Sequence, residues 1–274
     1  MIVDRAIVYA EKEGFRALQL DVYRPDPSPV GGPEEPLPVV LNIHGGGWRV
    51  SGRHHTPRET RSWPEGFVGR ITDAGFVVVA CDYRFSGEAL WPAALDDVKD
   101  ALHWVQANVA EFGGDPSRVA VWGQSAGGYL AAALGLATDV SGIAGVVCWY
   151  PITDFTTLDQ DDPVSYPALF LGGPLGTIAA RAREASTPRQ ARPDAPPFLL
   201  QHGTADTMAP FDQSVRLHDA LAAVGADVDL DVIGGAEHFF GGHDDVEGVF
   251  LRAITFLNGA TALAVATASE EVAS

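Results

Sequence analysis

The chain has 274 residues, 46% of them hydrophobic, which is enough apolar material for one domain with a substantial core. Asp and Glu number 36 against 18 Lys and Arg, and the formal net charge of −18 opposes binding to nucleic acid or to an anionic membrane surface. No uninterrupted apolar run reaches the roughly 18 residues of a membrane span, and Met1-Ile-Val-Asp-Arg-Ala6 lacks the blocks of a secretory signal, so a cytoplasmic protein is expected.

In chain order, residues 5–23 read as a hairpin turning at Glu13-Gly14, followed by a Pro/Gly-rich loop over 25–38. A strand over 38–43 ends in His44-Gly45-Gly46-Gly47-Trp48, and a helix is expected near 59–73. The run 75–82 is almost wholly apolar, as a strand covered on both faces should be. Helices near 92–111 and 125–138 flank a strand over 118–122. Buried strands over 143–150, 197–202 and 227–233 follow, with helices near 211–224 and 245–258.

This alternation predicts an α/β fold, a doubly wound and mostly parallel sheet with its chemistry at the carboxyl ends of the strands. Residues 155–195 contain no convincing strand and read as a small cap insertion within a single domain of residues 1–258. Residues 259–274, rich in Ala, Thr and Glu, read as a frayed C-terminal tail. Cys81 and Cys148 fall inside apolar strands, where a thiol serves as a small hydrophobe, and no disulfide framework or zinc spacing is present.

The most specific stretch is Gly123-Gln-Ser125-Ala-Gly127, placed between an apolar strand and a small-residue helix. Such a strand–turn–helix presents a serine hydroxyl above a sheet, and the glycines let the two backbones approach closely. A serine nucleophile needs a neutral imidazole to take its proton and a carboxylate to orient that imidazole. Asp206 ends the strand over 197–202, and His238 sits on a glycine-bracketed loop after the next strand, giving the order Ser125, Asp206, His238. Asp206 could instead cap a helix beginning near Pro210. Asp154 is a second candidate acid and His243 a second candidate base; His44 and His202 read as residues that shape their turns.

Three glycines directly after a strand weaken it unless backbone N–H groups must face a ligand. The N–H groups of Gly46, Gly47 and Ala126 are the candidate oxyanion donors, each able to contribute roughly 3 kcal/mol to acyl transfer. A phosphate-binding loop is disfavoured, because neither Gly-x-Gly-x-x-Gly nor Gly-Lys-Ser/Thr accompanies these glycines.

Together, His44-Gly-Gly-Gly47-Trp48, Asp82-Tyr-Arg84, Gly123-Gln-Ser125-Ala-Gly127-Gly128, His202-Gly-Thr-Ala-Asp206 and His238 resemble the α/β-hydrolase carboxylesterases related to hormone-sensitive lipase. The likeness, from about residue 15 to about residue 258, is greatest to their compact bacterial esterase/lipase, feruloyl-esterase-like branch. Gln124 departs from the Asp usual in the hormone-sensitive-lipase group, and the N-terminus is too short for that group's large helical cap.

The resemblance implies a serine carboxylesterase that uses no metal or other cofactor. Ser125 would be nucleophile, His238 base and Asp206 its orienting acid, acting on a small-molecule, short-chain ester. An amidase, formamidase or peptidase using the same triad and a non-catalytic hydrolase-fold binding protein are the alternatives. Trp48 and Phe239 are the candidate substrate-binding residues. Trp63, Trp91, Met208 and Phe240 are further possible walls, and Tyr166, Phe170 and Leu171 of the insertion either line the pocket or pack the insertion down.

Overall fold

Apolar, β-branched runs alternate with helical stretches, and the computed structural model, which describes residues 1–26 and 35–272, assembles them into one eight-stranded sheet. The strands are β1 (Ile2–Ala10), β2 (Leu18–Arg24), β3 (Leu37–Ile43), β4 (Val77–Cys81), β5 (Gly114–Gln124), β6 (Ile143–Trp149), β7 (Phe198–Gly203) and β8 (Val228–Ile233). Their spatial order is β1-β2-β4-β3-β5-β6-β7-β8. The first two strands pair antiparallel with each other and with β4, and every later pairing is parallel. Of the Pro/Gly-rich loop expected over 25–38, residues 27–34 lie outside the described residues.

Side chains alternate across the sheet and build two cores, because successive strand residues face opposite sides. Val39, Leu41, Ile43, Val119, Val121, Val146 and Cys148 meet α2 (Ala93–Asn108), α3 (Ala126–Leu136) and α6 (Asp212–Ala223) on one face. Val40, Val78, Ala120, Trp122, Val147 and Trp149 meet α1 (Gly66–Asp73) and α7 (Val246–Val272) on the other. All residues of α3 are buried, which accounts for a helix that is apolar or small on every side.

Two expectations are corrected. The helix expected near 59–73 is a single turn at Arg58–Thr60 followed by α1 from Gly66; Pro64 biases Trp63 away from helical backbone and separates the two. The tail expected to fray after 258 is a continuation of α7 to Val272. Ala and Thr are suited to this because the helix packs closely there. Ala260 and Thr261 are buried, a Cβ added at Gly145 would lie 2.9 Å from the Ala260 Cβ, and Thr261 Oγ1 donates to the Leu257 carbonyl. Among the described residues, Val246–Ala264 is long and apolar enough to cross a membrane, but Val249, Phe250, Ala253, Leu257 and Ala260 are buried in the fold.

The insertion over 155–195 contains α4 (Tyr166–Leu171), α5 (Ala179–Ala185) and short 3-10 turns, with no strand. Phe155, Phe170, Leu171 and Leu175 anchor it to the first core, so this segment is seated firmly above the sheet.

Candidate active site

Ser125 lies between β5 and α3 with φ 54° and ψ −118°, backbone values that a non-glycine residue rarely adopts. The neighbouring glycines make this turn possible. A Cβ at Gly123 would lie 2.0 Å from the Gly127 carbonyl oxygen, and one at Gly127 would lie 2.1 Å from that of Ile43. The Ser125 N–H donates to the Trp149 carbonyl, and its own carbonyl accepts from Tyr129, so the strained turn is clamped at both ends. Gln124 points away into the sheet, where its Nε2 donates to Asn42 Oδ1 at 2.8 Å.

The loops after β7 and β8 bring the remaining pair to this hydroxyl. His238 Nδ1–H donates to Asp206 Oδ2 at 2.6 Å, and its Nε2 accepts from Ser125 Oγ–H at 3.1 Å. Asp206 is almost buried, and its other oxygen accepts the Met208 and Ala209 N–H groups at 2.9 Å each. Burial alone would raise its carboxyl, but hydrogen bonds from His202 and His238 more than offset that and hold it below the ordinary carboxylate range.

His202 is therefore more than a turn former. Its Nε2–H donates to the Ala209 carbonyl at 2.8 Å and lies 3.2 Å from Asp206 Oδ2, while its Nδ1 accepts from Ser214 Oγ–H at 2.7 Å. The expected helix-capping alternative for Asp206 is met in part by its bonds to 208 and 209, which close the turn before α6 without engaging Oδ2.

Asp154 does not reach this constellation. Its Oδ1 accepts from the Thr156 N–H and hydroxyl, at 3.0 and 2.5 Å. His243 makes no contact with Ser125 or Asp206; its N–H donates to the Phe240 carbonyl.

Gly46, Gly47 and Ala126 line the same cavity as Ser125, and none of their N–H groups donates to an acceptor among the described residues. Gly46 and Gly47 have φ of +114° and +61°, and a Cβ at Gly46 would lie 2.1 Å from the Val50 carbonyl oxygen. The Asp82-Tyr-Arg84 segment braces this loop from behind. Tyr83 donates from its hydroxyl to the His44 carbonyl at 3.0 Å and stacks on the His44 ring at 4.3 Å, while Arg84 is paired with buried Asp97. His44 Nδ1–H donates to the Gly45 carbonyl and its Nε2 has no partner among the described residues, and burial pushes this imidazole down from 6.5 to about 4.

The cavity has a volume of about 210 Å³ and is walled by Trp48, Ile152, Tyr166, Met208 and Phe239 around Ser125 and His238. Trp48 contributes while almost wholly buried, its ring stacked on Phe170 at 4.3 Å. The insertion residues thus divide: Tyr166 lines the cavity, whereas Phe170 and Leu171 pack the insertion onto the body. Trp63, Trp91 and Phe240 are not in the wall; Trp63 packs on Phe250, Trp91 on the first core, and Phe240 on Trp149 and Tyr150.

Sequence reasoning missed Tyr150, whose ring meets His238 at 4.6 Å and whose φ is +39°. Its position after an apolar strand was the available signal. A larger cavity of about 490 Å³, against Arg192 and Asp194, contains none of these groups. Among the described residues no set of three His, Cys, Asp or Glu is placed to hold a metal.

A doubly wound sheet with a hydrogen-bonded Ser–His–Asp chain on the loops at its carboxyl edge defines an α/β-hydrolase. A sequence profile of the BD-FAE family matches residues 20–221, about three quarters of the chain, and the protein belongs to that family. Among curated relatives, the probable carboxylic ester hydrolase LipM of Mycobacterium tuberculosis is 31% identical over 76% of this chain and 50% of its own length. Carboxylesterase NlhH of the same organism is 40% identical over 56% of this chain and 44% of its own. The chain spans about half the length of the curated relatives it matches. A truncated carbohydrate esterase from gut microbiota superposes with a TM-score of 0.81 at 23% identity, covering 96% of this chain and 97% of that one, a likeness of fold.

Proposed function

We propose that the protein is a serine esterase that hydrolyses small, short-chain carboxylic esters without a metal or organic cofactor. The observation that carries this reading is the continuous hydrogen-bond chain from Asp206 through His238 to Ser125, opening on a cavity with three uncommitted N–H donors. The ester-hydrolase names of the curated relatives support it.

In this reading Ser125 Oγ attacks the ester carbonyl carbon as its proton passes to His238 Nε2. The carbonyl oxygen becomes an oxyanion and accepts N–H groups of Gly46, Gly47 and Ala126. The intermediate collapses as His238 gives the proton to the departing alcohol, leaving an acyl group on Ser125. Water then gives a proton to His238, attacks the acyl carbon, and releases the acid and the serine hydroxyl. Asp206 keeps the imidazole in the Nδ1–H tautomer and stabilises its charged form. An intact chain of three speaks against a non-catalytic binding role.

A cavity of about 210 Å³ is below the roughly 300 Å³ of ordinary ligand pockets, and the rings of Trp48, Tyr166 and Phe239 limit its depth. Acetyl to about hexanoyl groups are therefore favoured, because a methylene contributes its roughly 0.8 kcal/mol only where it can be buried. A p-nitrophenyl ester series compared by kcat/KM, with paraoxon as a covalent trap of Ser125, tests the assignment. An optimum at short acyl groups supports it; an optimum at dodecanoyl or longer, an amide cleaved faster than its matched ester, or no phosphorylation at Ser125 contradicts it.

A further inference from the structure

Residues 49–61 hold four arginines against one glutamate, a formal charge of +3 within a chain of −18. This stretch borders the catalytic cavity on two sides. The Arg49 guanidinium lies over the Tyr166 ring, 5.9 Å from its centroid, and that of Arg58 lies over the Phe239 ring at 5.8 Å. Both rings are walls of the cavity that contains Ser125 and His238.

Elsewhere the guanidinium groups are largely matched to carboxylates: Arg16 to Glu88, Arg84 to Asp97, Arg118 to Asp115 and Arg252 to Asp231. Within the stretch itself, Arg53 is engaged by Asp21 and Asp82. Arg49 and Arg58 are exposed, and neither has an ion-pair partner among the described residues. Glu59 does not take that role, since its Oε2 is buried without a partner among the described residues. A guanidinium resting on an aromatic face keeps its in-plane N–H donors available, and a carboxylate is the planar acceptor that fits them.

We propose that Arg49 and Arg58 form an anion-receiving rim, so that the preferred substrates are esters that also carry a free carboxylate. This rests on the esterase reading above and adds the substrate class. Tyr166 adjoins the backbone of Gly47 and Phe239 follows His238, so the two arginines stand beside the oxyanion loop and the general base respectively. A carboxylate on either the acyl or the alcohol part therefore has a partner.

The test compares kcat/KM at about pH 8 and low salt, where carboxylates are ionised and weakly screened. The matched pairs are p-nitrophenyl valerate with p-nitrophenyl hemiglutarate, and phenyl acetate with m-carboxyphenyl acetate. In at least one pair the carboxylate ester is expected to be favoured by about threefold or more, a preference that falls by about threefold in Arg49→Ala or Arg58→Ala and declines with added salt. Arg183→Ala, at an exposed arginine of α5 outside the cavity wall, is expected to leave the ratio as it was.

Preference for the neutral ester in both pairs, or a preference that survives the Arg49→Ala, Arg58→Ala double variant undiminished, overturns the proposal. Turnover of the neutral esters in that case leaves the esterase reading standing. Absence of turnover for every ester removes that reading and this inference with it.

Discussion

Two buried carboxylates follow neighbouring parallel strands, Asp154 after β6 and Asp206 after β7, and only one of them faces a histidine from another loop. Asp154 closes its own turn through Thr156, its Oδ2 lies 3.9 Å from Arg216, and Gln213 Oε1 accepts the N–H groups of Thr153 and Asp154. Asp206 closes its turn with Oδ1 alone, which leaves Oδ2 to His238 and His202. Burial by itself does not suit a carboxylate to orient a base. Both aspartates keep Oδ2 out of their turns, and the difference is what that oxygen meets: His238 and His202 for Asp206, only Arg216 for Asp154.

The largest expected effect removes what both regions would otherwise serve: Ser125→Ala should lower kcat by on the order of 10⁴-fold or more while the thermal midpoint stays near wild type. Retention of more than about a tenth of the activity would displace Ser125 from its role.

Asp206→Asn separates the two carboxylates. It should cost about 10⁴-fold in kcat, because an amide can hold the imidazole in the wrong tautomer and cannot stabilise its charged form. Asp154→Asn should change kcat by less than about threefold and instead lower stability by about 1 kcal/mol through the weakened turn. The reverse pattern in steady-state kinetics and urea unfolding would transfer the acid role to Asp154.

The contribution of His202 is smaller and sharpens the contrast further. His202→Gln should reduce kcat by on the order of tenfold, as expected for loss of one hydrogen bond to a charged group. Its acid unfolding limb should also move. The Asp206 carboxyl is held lower in the folded than in the unfolded chain, so it contributes stability above the ordinary carboxyl range, about pH 4, that is lost as the pH falls towards the folded value. Weakening the His202 contact shifts that loss to higher pH. An unchanged acid limb together with unchanged kcat would reduce His202 to a packing residue.

His44 supplies the smallest expected catalytic effect and a distinct pH window. Its imidazole titrates near 6.5 in the unfolded chain and is pushed by burial to about 4 in the fold, so the unfolded state binds the extra proton between those values. Stability should therefore fall as the pH drops from 6.5 towards 4, by about 3 kcal/mol in total for this group. Urea midpoints across that window, compared between wild type and His44→Gln, measure it; equal slopes would assign the acid loss elsewhere.

The fold class and the Ser, Asp, His chain order were legible because each depends on a short local pattern: an apolar run, then a glycine turn or an acid at the strand end. The choice between Asp154 and Asp206 was legible only as an ordering, since both carboxylates end strands and the donors that distinguish them come from elsewhere in the chain. Burial of Phe170 under Trp48 and the bracing of His44 by Tyr83 join segments far apart in sequence, so neither has a local signature. The continuation of α7 was hidden because Ala-rich, weakly periodic sequence resembles a solvated tail until the close approach of Ala260 to Gly145 is seen. Backbone strain was equally invisible. Of the seven non-glycine residues with positive φ among the described residues, Trp48, Ser125 and Phe239 line the cavity and Tyr150 packs against His238.

Cys81 and Cys148 lie at the sheet centre with no exposed surface, and burial pushes both thiols far above their ordinary range. Alkylation in the native state must therefore wait for the parallel strands to separate, so the rate of iodoacetamide uptake is a clock for opening of the sheet. The same silence makes the protein a ready host for a single introduced surface cysteine. A fluorophore attached in that way at Met208 or Tyr166 would report movement at the cavity mouth with no native thiol to remove first.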